Sequence, residues 1–330
     1  MPDSSEVVER ERRWAVPSGV AAVLGAILGV AGFVLLQAAL KGDANFEGLQ
    51  EAHANASTLW VSGIATGLSY LLIGAPLFFL FKAVQARSER VRNQMIGVVL
   101  LGPLLLGIAA FLLAGGTQEA ANTYIEGKSK PTHSAIKEAP EECRSEAKDK
   151  GAKDFAADFP AEPGSTSRQA CQDKKIEESK ASEAIRGSTL VSFAQYMGLA
   201  GGLALVVSLF YCGLWGMRTG LLTRFWGSLG MASGVAALIG LSPLVLIWFL
   251  YLGLLLIGTM PRGRPPAWAA GEAIPWPTPG EQAAAQLSAG EEAGADAAPP
   301  QTDEPDEAVG PVGEGGGGDG TPRRKRKQRD

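Results

Sequence analysis

Along this chain, long runs without a single charge alternate with segments that are almost wholly polar. From Phe225 to Met260 no charged residue occurs. One helix of that length would be about 50 Å long, against roughly 30 Å of bilayer hydrocarbon. The run is therefore either one over-long helix or two short spans folded back at Leu241-Ser242-Pro243. Proline after a Gly-Leu-Ser step suits a helix that stops and another that starts. We read two, each of roughly 17 residues, the lower limit for a span. Pro17–Leu40, Leu59–Phe81, Met95–Gly116 and Leu190–Gly216 are further apolar blocks, each of span length. None shows period-2 alternation, and lipid cannot satisfy open strands, so all should be helices. The expected fold is all-α: an integral membrane six-helix bundle, its last two spans a short hairpin at Pro243.

The polar segments set the expected orientation. Arg10, Arg12 and Arg13 precede the first block, which is too long for a signal-peptide core and lacks a small-residue cleavage site at QAALKGD. Pro17 should open the first span. Lys82, Arg87, Arg90 and Arg92 crowd the second loop against Glu89, and the loop MRTGLLTR carries Arg218 and Arg224 with no acid. Cytoplasmic loops carry the Lys/Arg excess, so these ends belong inside. The first loop has Asp43, Glu47 and Glu51 against Lys41 and belongs outside, with Phe46, Leu49 and His53 at the spacing of a short interfacial helix. The layout is a cytoplasmic N-tail (1–16), spans 1–3 (17–116), an extracytoplasmic loop (117–188), spans 4–6 (189–260) and a cytoplasmic tail (261–330). Beyond Pro265 the composition turns to Ala, Gly, Pro and acids, too little apolar material to offset ordering entropy, so the tail is expected to be disordered.

A mean hydropathy of +0.08 and a net charge of −4 average over these two populations and say little. Three cysteines are too few for a disulfide framework. Cys143 and Cys171 share the outer loop, where thiols are not kept reduced, while Cys212 lies in a span. A Cys143–Cys171 bridge is expected, closing a loop of about 28 residues and adding about 3–4 kcal/mol by loop-closure entropy. The loop itself fits two descriptions, a stapled helical pair on the membrane surface or a mostly mobile segment.

No span holds an ionisable residue, the usual mark of ion or proton pathways. HExxH, GxSxG, P-loop and CxxC motifs are all missing, and only two histidines occur. No catalytic, cofactor-binding or metal-binding residue is nominated, and an enzyme is not expected; Asp43, Glu47, Glu51 and His53 are the nearest thing to a cluster. Gln37, Ser62, Thr66, Ser69, Tyr70, Gln195, Tyr196, Ser208 and Ser233 are neutral polar groups at depth, suited to interhelical hydrogen bonds or to lining a cavity. Small residues four apart (Gly25/Gly29, Gly63/Gly67, Gly198/Gly202, Gly230/Gly234) permit close helix crossing, within the bundle or in a homo-oligomer. Gly74-Ala75-Pro76 and Gly102-Pro103 suit kinks. The terminal PRRKRKQR should attract anionic lipid rather than a specific nucleic acid. Apart from the bilayer, the sequence names no partner.

FLFKAVQARSERVRNQMIGVVLLGPLLLGI and GMRTGLLTRFWGSLGMASGVAAL resemble segments of a large group of uncharacterised multi-pass bacterial membrane proteins. There, a span ends in a basic loop before a Gly-Pro-containing span, and a later basic turn enters a Gly-rich one. The resemblance covers the membrane core, about half the chain. It implies six helices in a bacterial plasma membrane and carries over no catalytic residue. The expected role is accessory or interaction-based and non-enzymatic, the alternative being a channel or carrier for a neutral or apolar solute.

Overall fold

The computed structural model describes residues 4–40, 46–161, 164–239, 242–260 and 263–277. Among them the regular structure is helical throughout: α1 (Ser4–Leu40), α2 (Phe46–Ala54), α3 (Ala56–Arg87), α4 (Met95–Ile125), α5 (His133–Lys150), α6 (Ala152–Asp158), α7 (Ser167–Gly187), α8 (Thr189–Arg218), α9 (Arg224–Leu238), α10 (Ser242–Ile257) and α11 (Ala267–Ala270). Four of these, α1, α3, α4 and α8, are long and apolar enough to cross a membrane, and α10 is apolar but shorter. Local chemistry fixes several starts. Thr132, Ser188 and Thr223 each accept a backbone N–H of the following turn, and Thr166 and Gln169 close a reciprocal capping box. Ser188 so ends α7 and opens α8 at one residue.

The uncharged run Phe225–Met260 is two helices. α9 ends before Ile239 and α10 starts at Ser242, with Pro243 in its first turn, where its missing N–H costs nothing. Helix contacts run from α1 to α3, α4, α8, α9, α10 and back to α1, with α3 also reaching α8 and α10. Register shows how far the α9–α10 hairpin extends. Gly19 of α1 lies against Gly253 and Ile257, and Gly29 against Leu246. Pro243 is thus level with about residue 31 of α1. α1 continues to Leu40, roughly two and a half more turns or about 14 Å.

α1 packs in an unusual sense for a water-soluble helix. From Ala15 onward its buried residues are all small: Ala15, Ser18, Gly19, Ala22, Gly25, Ala26, Gly29, Gly32 and Ala39. Its large apolar residues point outward, with Val20, Leu24, Ile27, Val30, Phe33 and Val34 between 42% and 58% exposed. A helix in water buries its large apolar face instead.

Three apolar clusters stack along the molecule. The largest, at the end where α1 starts and α3 stops, gathers Phe81, Leu221, Leu222, Trp248 and Phe249, all fully buried; the Trp248 indole donates to the Trp226 carbonyl at 2.9 Å. At the opposite end Leu49, Leu59, Ala120, Ala121 and Ala184 join α2, α3, α4 and α7. Beyond them Phe155 and Phe159 enclose Cys143 and Cys171.

Two sequence expectations need correction. Pro17 does not open the first helix; it lies inside α1, which begins at Ser4. Val7, Glu11 and Ala15, spaced one turn apart, continue the buried stripe through the polar segment before Pro17. The C-terminal tail also starts later than residue 261. Gly263–Trp276 folds back as a strap across the bundle end, held by three anchors. The Trp268 indole donates to Leu221 O at 3.0 Å, the Trp276 indole to Leu222 O at 2.8 Å, and Ile274 N–H to Thr219 O at 3.2 Å. Its tryptophans supply the apolar area that composition alone hid. Gly220 takes φ +75°, and a Cβ there would sit 1.9 Å from Ile274 O, so only glycine fits beneath the strap. The acidic stretch beyond Pro277 and the basic run Arg323–Lys327 lie outside the described residues.

Candidate functional site

One end of the bundle carries a cap. His53 Nδ1 of α2 pairs with Asn122 Oδ1 of α4 at 2.9 Å. Tyr124 at the end of α4 donates to Glu177 of α7 at 2.6 Å, and Ser188 donates to Glu119 at 2.8 Å. Glu177 is held below the ordinary carboxylate range, first by Lys180, then by the Tyr124 hydroxyl. α5 and α7 are joined by a Cys143–Cys171 disulfide with Cα atoms 6.0 Å apart. The loop therefore has a small core of its own, built on the disulfide and two phenylalanines. Of the acidic cluster in the first loop, Asp43 lies outside the described residues, His53 is engaged by Asn122, and Glu51 accepts from Asn55 at 3.1 Å.

Beneath the cap is a cavity of about 270 Å³. Leu36 and Leu40 of α1, Ser62 and Thr66 of α3, Leu113 and Ala114 of α4, and Val191 and Gln195 of α8 form its walls, with Leu49 of α2 and Ile185 of α7 toward the cap. Its origin is the short hairpin. Lower down, α9 and α10 stand between α8 and α1; above their tip no described helix fills that place. No ionisable residue lines the cavity. The Ser62 hydroxyl is turned back to Leu59 O at 2.7 Å, and Thr66 packs closely on Gly32. Gln195, exposed on α8, is the one amide in the wall. Such a vestibule has the chemistry to hold a small uncharged apolar molecule, and its size is just under the usual range of about 300–1,000 Å³.

Ser62, Thr66 and Gln195 thus converge, whereas Tyr196 is 73% exposed and is not part of the wall. Gln37 is exposed and Tyr70 half-buried against the large cluster. Ser69 donates to Gly25 O across the α1–α3 crossing at 2.6 Å, while Ser208 and Ser233 bond to carbonyls one turn back on their own helices and also reach Val98 O of α4 at 3.2 Å and Leu244 O of α10 at 3.5 Å. Those are packing roles.

The glycines divide in the same way. A Cβ on Gly25, Gly29, Gly63 or Gly230 would come within 2.8 Å of Ile73, Leu246, Ala114 or Trp248 respectively, and one on Gly67 within 3.0 Å of Gly107 O. Gly234 is nearly as close to Val206, at 3.3 Å. Gly202 has 3.4 Å and Gly198 has 3.9 Å of clearance, so these two do not set a crossing. Gly74 meets Pro103, which sets the two Gly-Pro steps against each other. Reading along the chain missed the reciprocal pairs Gly19–Gly253, Gly67–Gly107 and Gly213–Gly227, where a Cβ on either glycine would lie 2.8–3.1 Å from its partner's carbonyl oxygen. These pairs join different helices, and nothing in the spacing along one helix marks them.

At the strap end, α1 and α3 are tied by a buried ion pair. Both nitrogens of the Arg87 fork donate to Glu11, with Nη2 to Oε2 at 2.9 Å, and Nη2 also reaches Ala267 O at 2.9 Å. Arg87 lies over the Trp268 ring at 5.6 Å. Arg264 donates to Leu255 O at 3.1 Å and to Leu256 O, covering carbonyls that the end of α10 leaves open. Among the described residues no three His, Cys, Asp or Glu side chains gather as a metal-binding group.

Comparison with known protein families, with curated proteins and with solved structures returned no match to this chain.

Proposed function

We propose that the chain is a multi-pass integral membrane protein with a non-enzymatic, accessory or interaction role. Its cap would stand outside a bacterial plasma membrane, and both termini inside. The observation that carries the membrane reading is the inverted packing of α1, with small residues inward and large apolar residues outward. That arrangement is costly in water and natural in lipid, where helices associate through close backbone approach rather than hydrophobic exclusion. The short α9 and α10 complete six spans in this reading, thinning the bilayer or meeting water before its far face. Arg87, Arg90, Arg92, Arg218 and Arg224 cluster at the strap end, which supports placing that end in the cytoplasm. Reporter fusions at Arg90, Lys150, Thr219 and Gly280 test every step. Only Lys150 should report outside; an outside signal at Gly280 would remove the hairpin crossing.

A second reading, binding or passage of a neutral apolar solute, draws on the convergence of Ser62, Thr66 and Gln195 on the vestibule. Reconstituted protein passing a specific uncharged solute, with flux abolished by Ala114→Phe, would establish this reading against the accessory one.

A further inference from the structure

A second and larger hollow, of about 630 Å³, lies between α1 and α3 at the strap end. Its walls are apolar: Trp14 and Pro17 from α1, Ala75 and Phe78 from α3. Trp14 is 58% exposed and Ala75 is exposed as well, so the groove is open to the surroundings of the bundle. Three charged residues also line it, Arg10, Glu11 and Lys82. Glu11 is consumed by the fork of Arg87, which is fully buried. Lys82 donates to the neutral Gln85 at 2.9 Å, and no described carboxylate lies within ion-pairing reach of Lys82 or Arg10. The groove therefore combines two uncompensated cations with a long apolar wall.

We propose that this groove binds one anionic phospholipid, an inference that rests on the membrane reading above. The phosphodiester accepts from the Arg10 guanidinium and the Lys82 ammonium, and an acyl chain lies along Trp14, Pro17, Ala75 and Phe78. Arg and Lys suit this division, one as a planar donor fork and the other as a mobile point charge. Trp14 stands where indoles favour the boundary between headgroups and hydrocarbon. A free phosphate would leave the apolar wall unused, whereas a zwitterionic lipid would bring its own cation to two others. Basic pockets between helices on the cytoplasmic side are where anionic headgroups are expected.

The test uses the purified full chain in mild detergent with equal amounts of phosphatidylglycerol and phosphatidylcholine, with retained lipid counted by native mass spectrometry. The wild-type chain should retain phosphatidylglycerol preferentially. Arg10→Gln with Lys82→Gln should weaken that retention about 30-fold, which corresponds to about 1 kcal/mol per cation. Arg10→Lys with Lys82→Arg keeps the charge and should keep the preference. Arg90→Gln with Arg218→Gln removes equal charge outside the groove and should leave retention unchanged. Equal retention of both lipids by the wild-type chain, or an equal loss from the Arg90 and Arg218 variant, would overturn the site. Displacement by inorganic phosphate alone would overturn the lipid as its occupant. Recovery of the chain from membranes by alkaline wash without detergent would overturn the membrane reading, and the proposal with it; an integral chain without selectivity overturns the proposal only.

Discussion

At the scale of single residues, the clearest dependence is the Glu11–Arg87 pair, where a fully buried guanidinium is satisfied by a carboxylate and by Ala267 O. Removing one partner strands the other charge, so Arg87→Met should cost about 3–5 kcal/mol. Glu11→Leu combined with Arg87→Met should recover much of that loss, because an apolar pair leaves no buried charge. Thermal melts of the singles and the double in detergent form the check; a double no better than Arg87→Met would refute it. The glycines give a sharper contrast, since the sequence marked Gly198 and Gly230 alike. Gly230→Ala drives a methyl against the buried Trp248 ring and should cost about 1–3 kcal/mol. Gly198→Ala meets only Ala109 at 3.9 Å and should be neutral or gain up to about 1 kcal/mol from helix propensity. Equal melting shifts for the two would deny that crossing distance governs these sites.

At the scale of elements, the helices were legible because an uncharged run of span length has few alternatives, and Pro243 marked the hairpin because proline suits a first turn. The ends of helices were less legible. Charge before an apolar block suggests that α1 begins at Pro17, yet Glu11 belongs to the same buried stripe as Val7 and Ala15 and finds its partner 76 residues away. The strap was missed because Trp268 and Trp276 sit among Ala, Gly and Pro, and their acceptors, Leu221 O and Leu222 O, are backbone groups that no motif announces. The cap illustrates the remaining case, a segment with little apolar material whose order rests on its disulfide. Replacing Cys143 and Cys171 by Ser should destabilise the cap by about 3–4 kcal/mol while leaving the helices below intact. Amide exchange should rise across α5–α7 and stay unchanged in α3 and α8. Acid acts on the same element. The depressed Glu177 contributes stability that is present above its unfolded value of 4.5 and lost as pH falls through the lower, folded one. Cap melting should therefore fall on acidification below about pH 4.5, and fall less steeply in Glu177→Gln.

At the scale of the whole bundle, a strap ties one end shut and a vestibule lies beneath the cap at the other. The vestibule was half visible in the sequence, where Ser62, Thr66 and Gln195 could be named, but the hairpin depth that leaves room for it could not. Depth depends on the register of α10 against α1, set by the Gly19–Gly253 crossing, which no single segment records. Closure at the other end depends on the strap, which ties the start of α1, the end of α3 and the turn before α9. Gly271 turns beside Ser4 O, Ala267 O receives Arg87, and Trp268, at 6% exposure, fills the space over Phe79 with its ring stacked at 6.0 Å. Trp268→Ala should cost about 3–5 kcal/mol, as expected for emptying a buried aromatic site. Ending the chain after Met260 should cost at least as much, because Arg87 loses its carbonyl acceptor as well as the ring. Ending it after Pro277 removes none of these contacts and should leave the melt where it was. Detergent melts of the three chains separate the outcomes. If loss of residues 278–330 lowered stability as far as loss of the strap, closure would have to be assigned to the remainder of the tail.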